Sequence, residues 1–255
     1  MMTFTKRDEN AAPGFYQAEA AGLRWLRAAA EGVPTAEVLE VTDTSITLPR
    51  YDSMAPSPEQ AQEFGRRLAL THQAGAPHHG APPPGLNHGF IATLPLQHLA
   101  EPPPHWGEFY ARCRVEPFAR TAAESGSLDA KGLADVLKLC EQLREGDPGL
   151  TGPEVPAARL HGDLWSGNVL WRAEGALLID PAAHGGHPET DLAMLSLFGL
   201  PHLDIVLEAY TATAPLPPGW QHRVRLHQLH PLLVHAALFG PSYGAQSVSV
   251  ARAYL

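Results

Sequence analysis

Apolar residues recur every three to four positions in some stretches and every second position in others, and the two periods divide the chain. Phe15, Ala18, Gly22, Trp25, Leu26 and Ala29 share one face of a helix predicted over residues 15–30, which Val33–Pro34 ends. Ahead of it, residues 1–7 read as a short strand and Asn10–Gly14 as a turn. Two more strands are expected at 36–41 and 45–48, with Asp43 in the turn between them. A second helix starts at Ser57. Pro58 suits its first turn, Gln60 completes a capping box, and Gly75 falls where a C-cap belongs. Its apolar stripe is Ala61, Phe64, Leu68 and Ala69. Residues 75–89, rich in Pro, Gly and His, read as the most flexible stretch, with a second at 101–105. Helices are expected over 106–124, 129–145, 189–198 and 203–213, and a last one from about 221 to 239. A strand end at 159–160 and a hairpin at 169–180 lie among them. A strand-rich start followed by a helical remainder predicts an α+β chain of two lobes, residues 1–52 and 53–255.

Composition narrows the class. Hydrophobic residues make up 44% of the chain, enough for a sizeable core. Eighteen basic against 27 acidic residues leave a formal charge of −9, which disfavours nucleic-acid binding because phosphate rewards Lys and Arg. No window approaches the ~18 uninterrupted apolar residues of a membrane span, and the N-terminal MMTFTKRDEN has no apolar signal core. Cys113 and Cys140 are too few for a disulfide framework. The expectation is a reduced, cytoplasmic globule without membrane or nucleic-acid partners.

Candidate chemistry concentrates in Leu160-His-Gly-Asp-Leu-Trp-Ser-Gly-Asn168. Its His-x-Asp-x-x-x-x-Asn order has the spacing of a kinase catalytic loop. The Asp must reach an attacking hydroxyl, and the Asn must turn back to a metal ion bridging nucleotide phosphates. The following hairpin ends at Asp180-Pro181, placing a second carboxylate at a strand mouth where it can face Mg²⁺. An isolated His-Gly-Asp is also a tight turn with a capping Asp; the register with Asn168 and Asp180 favours the catalytic loop.

These residues resemble the fructosamine kinases, a branch of the aminoglycoside-phosphotransferase-like kinases. The LHGDLWSGN run is identical to the family's. Asp180–Gly199 resembles its DPAxYYGHREADLAMxxLFG block, and PLPPGWQHRVRLHQLHPLLVHAALFG resembles its C-terminal block. Phe90-Ile91 and Trp106-Gly-Glu-Phe-Tyr110 are similar to further family positions. The resemblance implies a protein-kinase-like fold with a small β-lobe and a helical lobe. It implies Asp163 as catalytic base, Asn168 and Asp180 as Mg²⁺ ligands, and Lys6, braced by Glu19, on the phosphates of ATP. Pro49, Arg50 and Tyr51 would be the hinge facing adenine, and Trp165 would line the acceptor pocket. The implied reaction is phosphorylation of a sugar hydroxyl on a small ketoamine or glycated amine. An aminoglycoside or amino alcohol as acceptor, or a degenerate kinase fold used only for binding, are the alternatives.

The departures from the family carry information too. Five residues precede Lys6, fewer than the two strands and phosphate-covering loop that the family places there, since one strand takes about five residues. The expectation is a truncated β-lobe, an exposed Lys6, weak ATP binding, and an unpaired edge that permits a homodimer. His184 and Gly185 replace the family's aromatic pair, and Pro188 its Arg, so His184 is expected to shape the acceptor pocket. His227 and His230 stand at tyrosine positions and, with His235, read as packing residues, because no carboxylate or Cys pattern completes a zinc site. His78 and His79 read as loop surface, Cys113 and Cys140 as packing, and Asp191 as an anchor for the catalytic loop.

Overall fold

The computed structural model describes residues 2–255. In chain order the elements are β1 (Thr3–Arg7), α1 (Phe15–Arg27), β2 (Glu40–Val41), β3 (Ser45–Pro49), α2 (Pro58–Gln73), β4 (His88–Ile91), β5 (Leu94–Gln97) and α3 (Trp106–Tyr110). There follow α4 (Glu116–Glu124), α5 (Ala130–Glu145), α6 (Pro148–Thr151), β6 (Ala158–Leu160), β7 (Val169–Arg172), β8 (Gly175–Leu178), β9 (His184–Gly186), α7 (Glu189–Phe198), α8 (Leu203–Thr213), α9 (Trp220–Phe239) and α10 (Pro241–Arg252). No helix among the described residues is long and apolar enough to cross a membrane.

The chain forms two compact units, and they do not divide at residue 52. One runs to Ala100 and resumes over Pro156–Leu216; the other comprises Glu101–Val155 and Pro217–Leu255. Strand β8 explains why the N-terminal segment is not a separate body. Successive residues of a strand face opposite ways. Leu177 enters a core with Tyr16, Ala20 and Leu23 of α1 and Ile46 and Leu48 of β3. Leu178 enters a second core with Phe64 and Leu68 of α2, Leu192 of α7 and Val206 of α8. Chain segments before and after residue 52 therefore share one hairpin.

Among the described residues the first unit holds four small sheets. Antiparallel β1 pairs with β3, which pairs with β2, so β1 is an edge. Only Glu40–Val41 of the expected strand at 36–41 joins a ladder. Its start instead meets β8, where Ala36 N–H donates to the Leu178 carbonyl and Leu178 N–H to the Pro34 carbonyl. Helix α2 begins as expected: Ser57 Oγ accepts from Gln60 N–H, and the Gln60 side chain accepts from Ser57 N–H. The stretch expected to be most flexible is pinned. Gly80 N–H donates to the Gly185 carbonyl at 2.7 Å and Gly185 N–H to that of Ala81 at 2.8 Å. His79 is buried there, not on the surface. The β4–β5 hairpin and β9 were not anticipated, because their few residues lack a clean alternation.

In the second unit a π-helical turn at Ala111–Val115 joins α3 to α4. Pro117 has no N–H to offer the Cys113 carbonyl, and the Arg114 guanidinium donates there instead, at 3.0 Å. Pro231 lies inside α9 and likewise leaves the His227 carbonyl without its helical partner. The Tyr110 hydroxyl inserts at that point. It donates towards the Leu226 and His227 carbonyls at 2.7 and 3.2 Å and accepts from His230 N–H at 3.1 Å. His227 packs on Trp106, and His230 packs edge-on against Phe118. The chain also forms α10 after Gly240-Pro241, beyond the last helix expected.

Helices α2 and α8 touch at Gly65. A Cβ there would lie 2.2 Å from the Val206 carbonyl oxygen and 3.0 Å from the Ala209 methyl. Gly65→Ala must push the two backbones apart, at a cost of about 1–3 kcal/mol. Thermal denaturation should show a fall of about 2–4 °C for each kcal/mol; an unchanged midpoint would contradict this packing.

Candidate active site

Lys6, Glu19, Asp163, Trp165, Asn168 and Asp180 converge on one cavity of about 350 Å³ in the first unit. Lys6 is the penultimate residue of β1, paired with Ile46 of β3. Glu19 projects from α1 between the residues that bury its core face. Lys6 Nζ donates to Glu19 Oε1 at 2.7 Å and is also ion-paired with the Asp180 carboxylate. Its side chain is only 24% exposed, so Lys6 is not the open residue expected from an edge strand. The two carboxylates hold it in place. Burial works against the ammonium, yet Glu19 and Asp180 outweigh it and raise the Lys6 pKa. Burial, together with the Asp180 carboxylate, raises the Glu19 pKa against the opposing pull of Lys6.

The catalytic-loop segment is fixed from behind. Asp191, fully buried in the first turn of α7, accepts from His161 N–H at 2.8 Å and Gly162 N–H at 3.0 Å. Gly162 has φ +82°, and a Cβ there would sit 2.1 Å from the Ala182 carbonyl oxygen, so the middle position of His-Gly-Asp admits no side chain. His161 Nε2 meets the Ile179 carbonyl at 2.8 Å, and its Nδ1 accepts from Asp163 N–H at 3.2 Å, which assigns the proton to Nε2. This ring links the loop to the strand that delivers Asp180. On the far side of Asp191, His72 of α2 meets Oδ2 at 3.1 Å, and its Nδ1 meets the Tyr210 hydroxyl at 2.8 Å. Burial disfavours the Asp191 carboxylate, but these hydrogen bonds and the neighbouring imidazoles prevail and lower its pKa.

Asn168 is buried and donates from Nδ2 to the Asp163 carbonyl at 2.8 Å and to Asp163 Oδ2 at 3.1 Å. Its amide oxygen is thereby directed away from Asp163. Asp180 ends the hairpin with φ +56°, a left-handed conformation that Asp tolerates better than most residues, and Pro181 follows. Trp165, 40% exposed, packs edge-on against Phe198 while lining the cavity.

Four expected residues lie elsewhere. His184 is buried in β9, its Nδ1 against the Ala182 carbonyl, and does not line the cavity. Pairing of β9 with β6 holds it behind the loop. Pro49, Arg50 and Tyr51 do not line it either. Pro49 pairs with Thr3, Arg50 N–H donates to the Met2 carbonyl, and Tyr51 lies under the Arg172 guanidinium. Conversely, Phe15, Leu86, Phe90, Leu96 and His98 line the cavity without having been singled out for it. Phe90 stands in a family-like block, but nothing in its spacing places it in one cavity with Asp163.

The fructosamine kinase family profile matches residues 2–255. The chain belongs to the fructosamine kinase family. A relative from Enterococcus faecium, named as a ketoamine kinase, is 31% identical over 245 residues, 95% of this chain and 84% of the relative. A solved structure from Thermobifida fusca, named as a fructosamine-3-kinase, is 45% identical and covers 99% of this chain and 85% of its own, with a TM-score of 0.90. A thermostable aminoglycoside phosphotransferase variant solved with ADP and hygromycin B shares the fold at 16% identity, over 92% of this chain and 82% of its own, with a TM-score of 0.57. This fructosamine kinase family member has the kinase-like α+β fold and is a phosphotransferase with an alcohol group as acceptor.

Asp191 makes two predictions. Asp191→Ala strands two buried N–H groups, each costing about 1–3 kcal/mol, and chemical denaturation should register a loss of at least about 2 kcal/mol. A carboxyl with a lowered folded pKa stabilises above its unfolded value, near ~3.9, and loses that contribution as pH falls through the folded value. Denaturation midpoints should fall below about pH 4, and Asp191→Asn should flatten that acid limb.

Proposed function

We propose that this fructosamine kinase family member transfers the γ-phosphate of ATP to a sugar hydroxyl of a ketoamine, with Asp163 as base. The observation that carries the reading is the meeting of Asp163, Asn168, Asp180 and Lys6 in one cavity. Asn168 fixes Asp163 Oδ2, which orients the carboxylate toward the acceptor hydroxyl. Asp163 takes that proton as the hydroxyl oxygen bonds to the γ-phosphorus, and the bond from phosphorus to the ADP oxygen breaks. Lys6, braced by Glu19, supplies a fixed positive charge to the phosphate oxygens. The names of the relatives favour the 3-hydroxyl of a fructosamine as the acceptor.

The donor set fits Mg²⁺. The Asp180 carboxylate and the Asn168 amide oxygen are hard oxygen ligands, and both residues line the cavity. A bound Mg²⁺ would neutralise charge developing on the transferred phosphoryl group. Adenine recognition by Pro49–Tyr51 finds no support in the position of those residues.

Asp163→Asn should lower phosphoryl transfer by about 10²–10⁴-fold while leaving the circular-dichroism melt in place. Wild-type turnover by this variant would overturn the assignment. Calorimetric titration of Mg²⁺ in the presence of nucleotide should show weakened binding in Asp180→Ala; equal affinity would remove Asp180 from the metal site.

A further inference from the structure

One wall of the cavity differs in chemistry from the rest. It is built by the loop before β4, the β4–β5 hairpin and the first residue of α1: Phe15, Pro83, Leu86, Phe90, Leu96 and His98. Phe15 and Phe90 meet edge to face with centroids 5.2 Å apart, so the two elements form one aromatic surface. None of the six carries a fixed charge. The fixed charges among the described lining residues are Lys6, Glu19, Asp163 and Asp180. The first two and Asp180 form one ion-paired cluster, and Asp163 is held by Asn168.

We infer that this wall receives the amine substituent of the acceptor and selects ketoamines whose amine carries an apolar group, over those carrying a carboxylate or several ammonium groups. The inference rests on the ketoamine reading above. A substituent carboxylate would need an Arg or Lys to replace its water, and a polyamine would need carboxylates beyond those already engaged. The wall supplies neither. The single ammonium of a ketoamine is compatible with it, because aromatic rings attract a cation through their faces. An alkyl or aryl substituent gains by leaving water, at about fourfold in affinity per buried methylene.

The test is a series of 1-deoxy-1-(alkylamino)fructoses with methyl, ethyl, butyl and benzyl substituents, set beside fructosylglycine and an aminoglycoside. The intact protein, ATP and Mg²⁺ are used throughout. The expected result is that kcat/KM rises at least tenfold from methyl to butyl and benzyl, mainly through KM, with fructosylglycine below butyl. Phe90→Ala should compress the methyl-to-benzyl ratio by raising KM for the longer substituents. Leu86→Arg, on the loop, should shift the ratio toward fructosylglycine. A flat chain-length series, or fructosylglycine as the better substrate, would overturn the inference while leaving ketoamine phosphorylation standing. Leu86→Arg without effect on the ratio would also count against it. Transfer to the aminoglycoside with none to any ketoamine would overturn both readings.

Discussion

Asp191 holds two consecutive backbone N–H groups of the catalytic-loop segment with its two carboxylate oxygens, in a place water does not reach. The geometry of the site descends from that contact. A loop carrying Gly at its centre would otherwise sample many conformations, since Gly accepts positive and negative φ alike. The buried carboxylate admits one of them. His161 carries the order onward, because its imidazole ties Asp163 N–H to the Ile179 carbonyl just before Asp180. Base and second carboxylate are thus separated by one aromatic ring rather than by a flexible path.

The hairpin that delivers Asp180 has comparable support. Leu177 and Leu178 face different cores, so a sideways shift of β8 would expose apolar surface on one side or crowd the other. Asp180 can then hold a left-handed backbone conformation, because the surrounding packing leaves it no alternative. Lys6 sits on a thin edge strand with little buried surface of its own. Its position comes from β3 on one side and from two carboxylates on the other.

Much of this was legible in the sequence where a local rule decides the outcome. The capping box at Ser57, the helix periods of 15–30 and 203–213, and the hairpin before Asp180 depend on neighbours a few residues away. The Asp163–Asn168 spacing is local as well, and Asp191 was legible as an anchor through its place beside the motif. What escaped depends on distant pairing. His184 sits in a loop-like Gly-rich stretch, yet pairing with Leu160 turns it into a buried strand. The Pro- and Gly-rich run at 75–89 looked mobile because hydrogen bonds to Gly185, a hundred residues on, have no local signature. The apolar cavity wall, and the partnership of His72 with Tyr210 behind Asp191, arise only once remote segments meet.

Tyr110 and Pro231 are separated by more than a hundred residues, yet they behave as one inherited character. The proline removes a donor from α9, and the phenol supplies a hydroxyl at the break. A lineage that replaced Pro231 would regain an amide hydrogen competing with the phenol for the same carbonyl. One that replaced Tyr110 alone would leave a buried acceptor dry. Neither substitution is neutral by itself, so drift at one position is conditioned on the residue at the other. The two sites should therefore change together across descendants of this chain, although neither touches the chemistry.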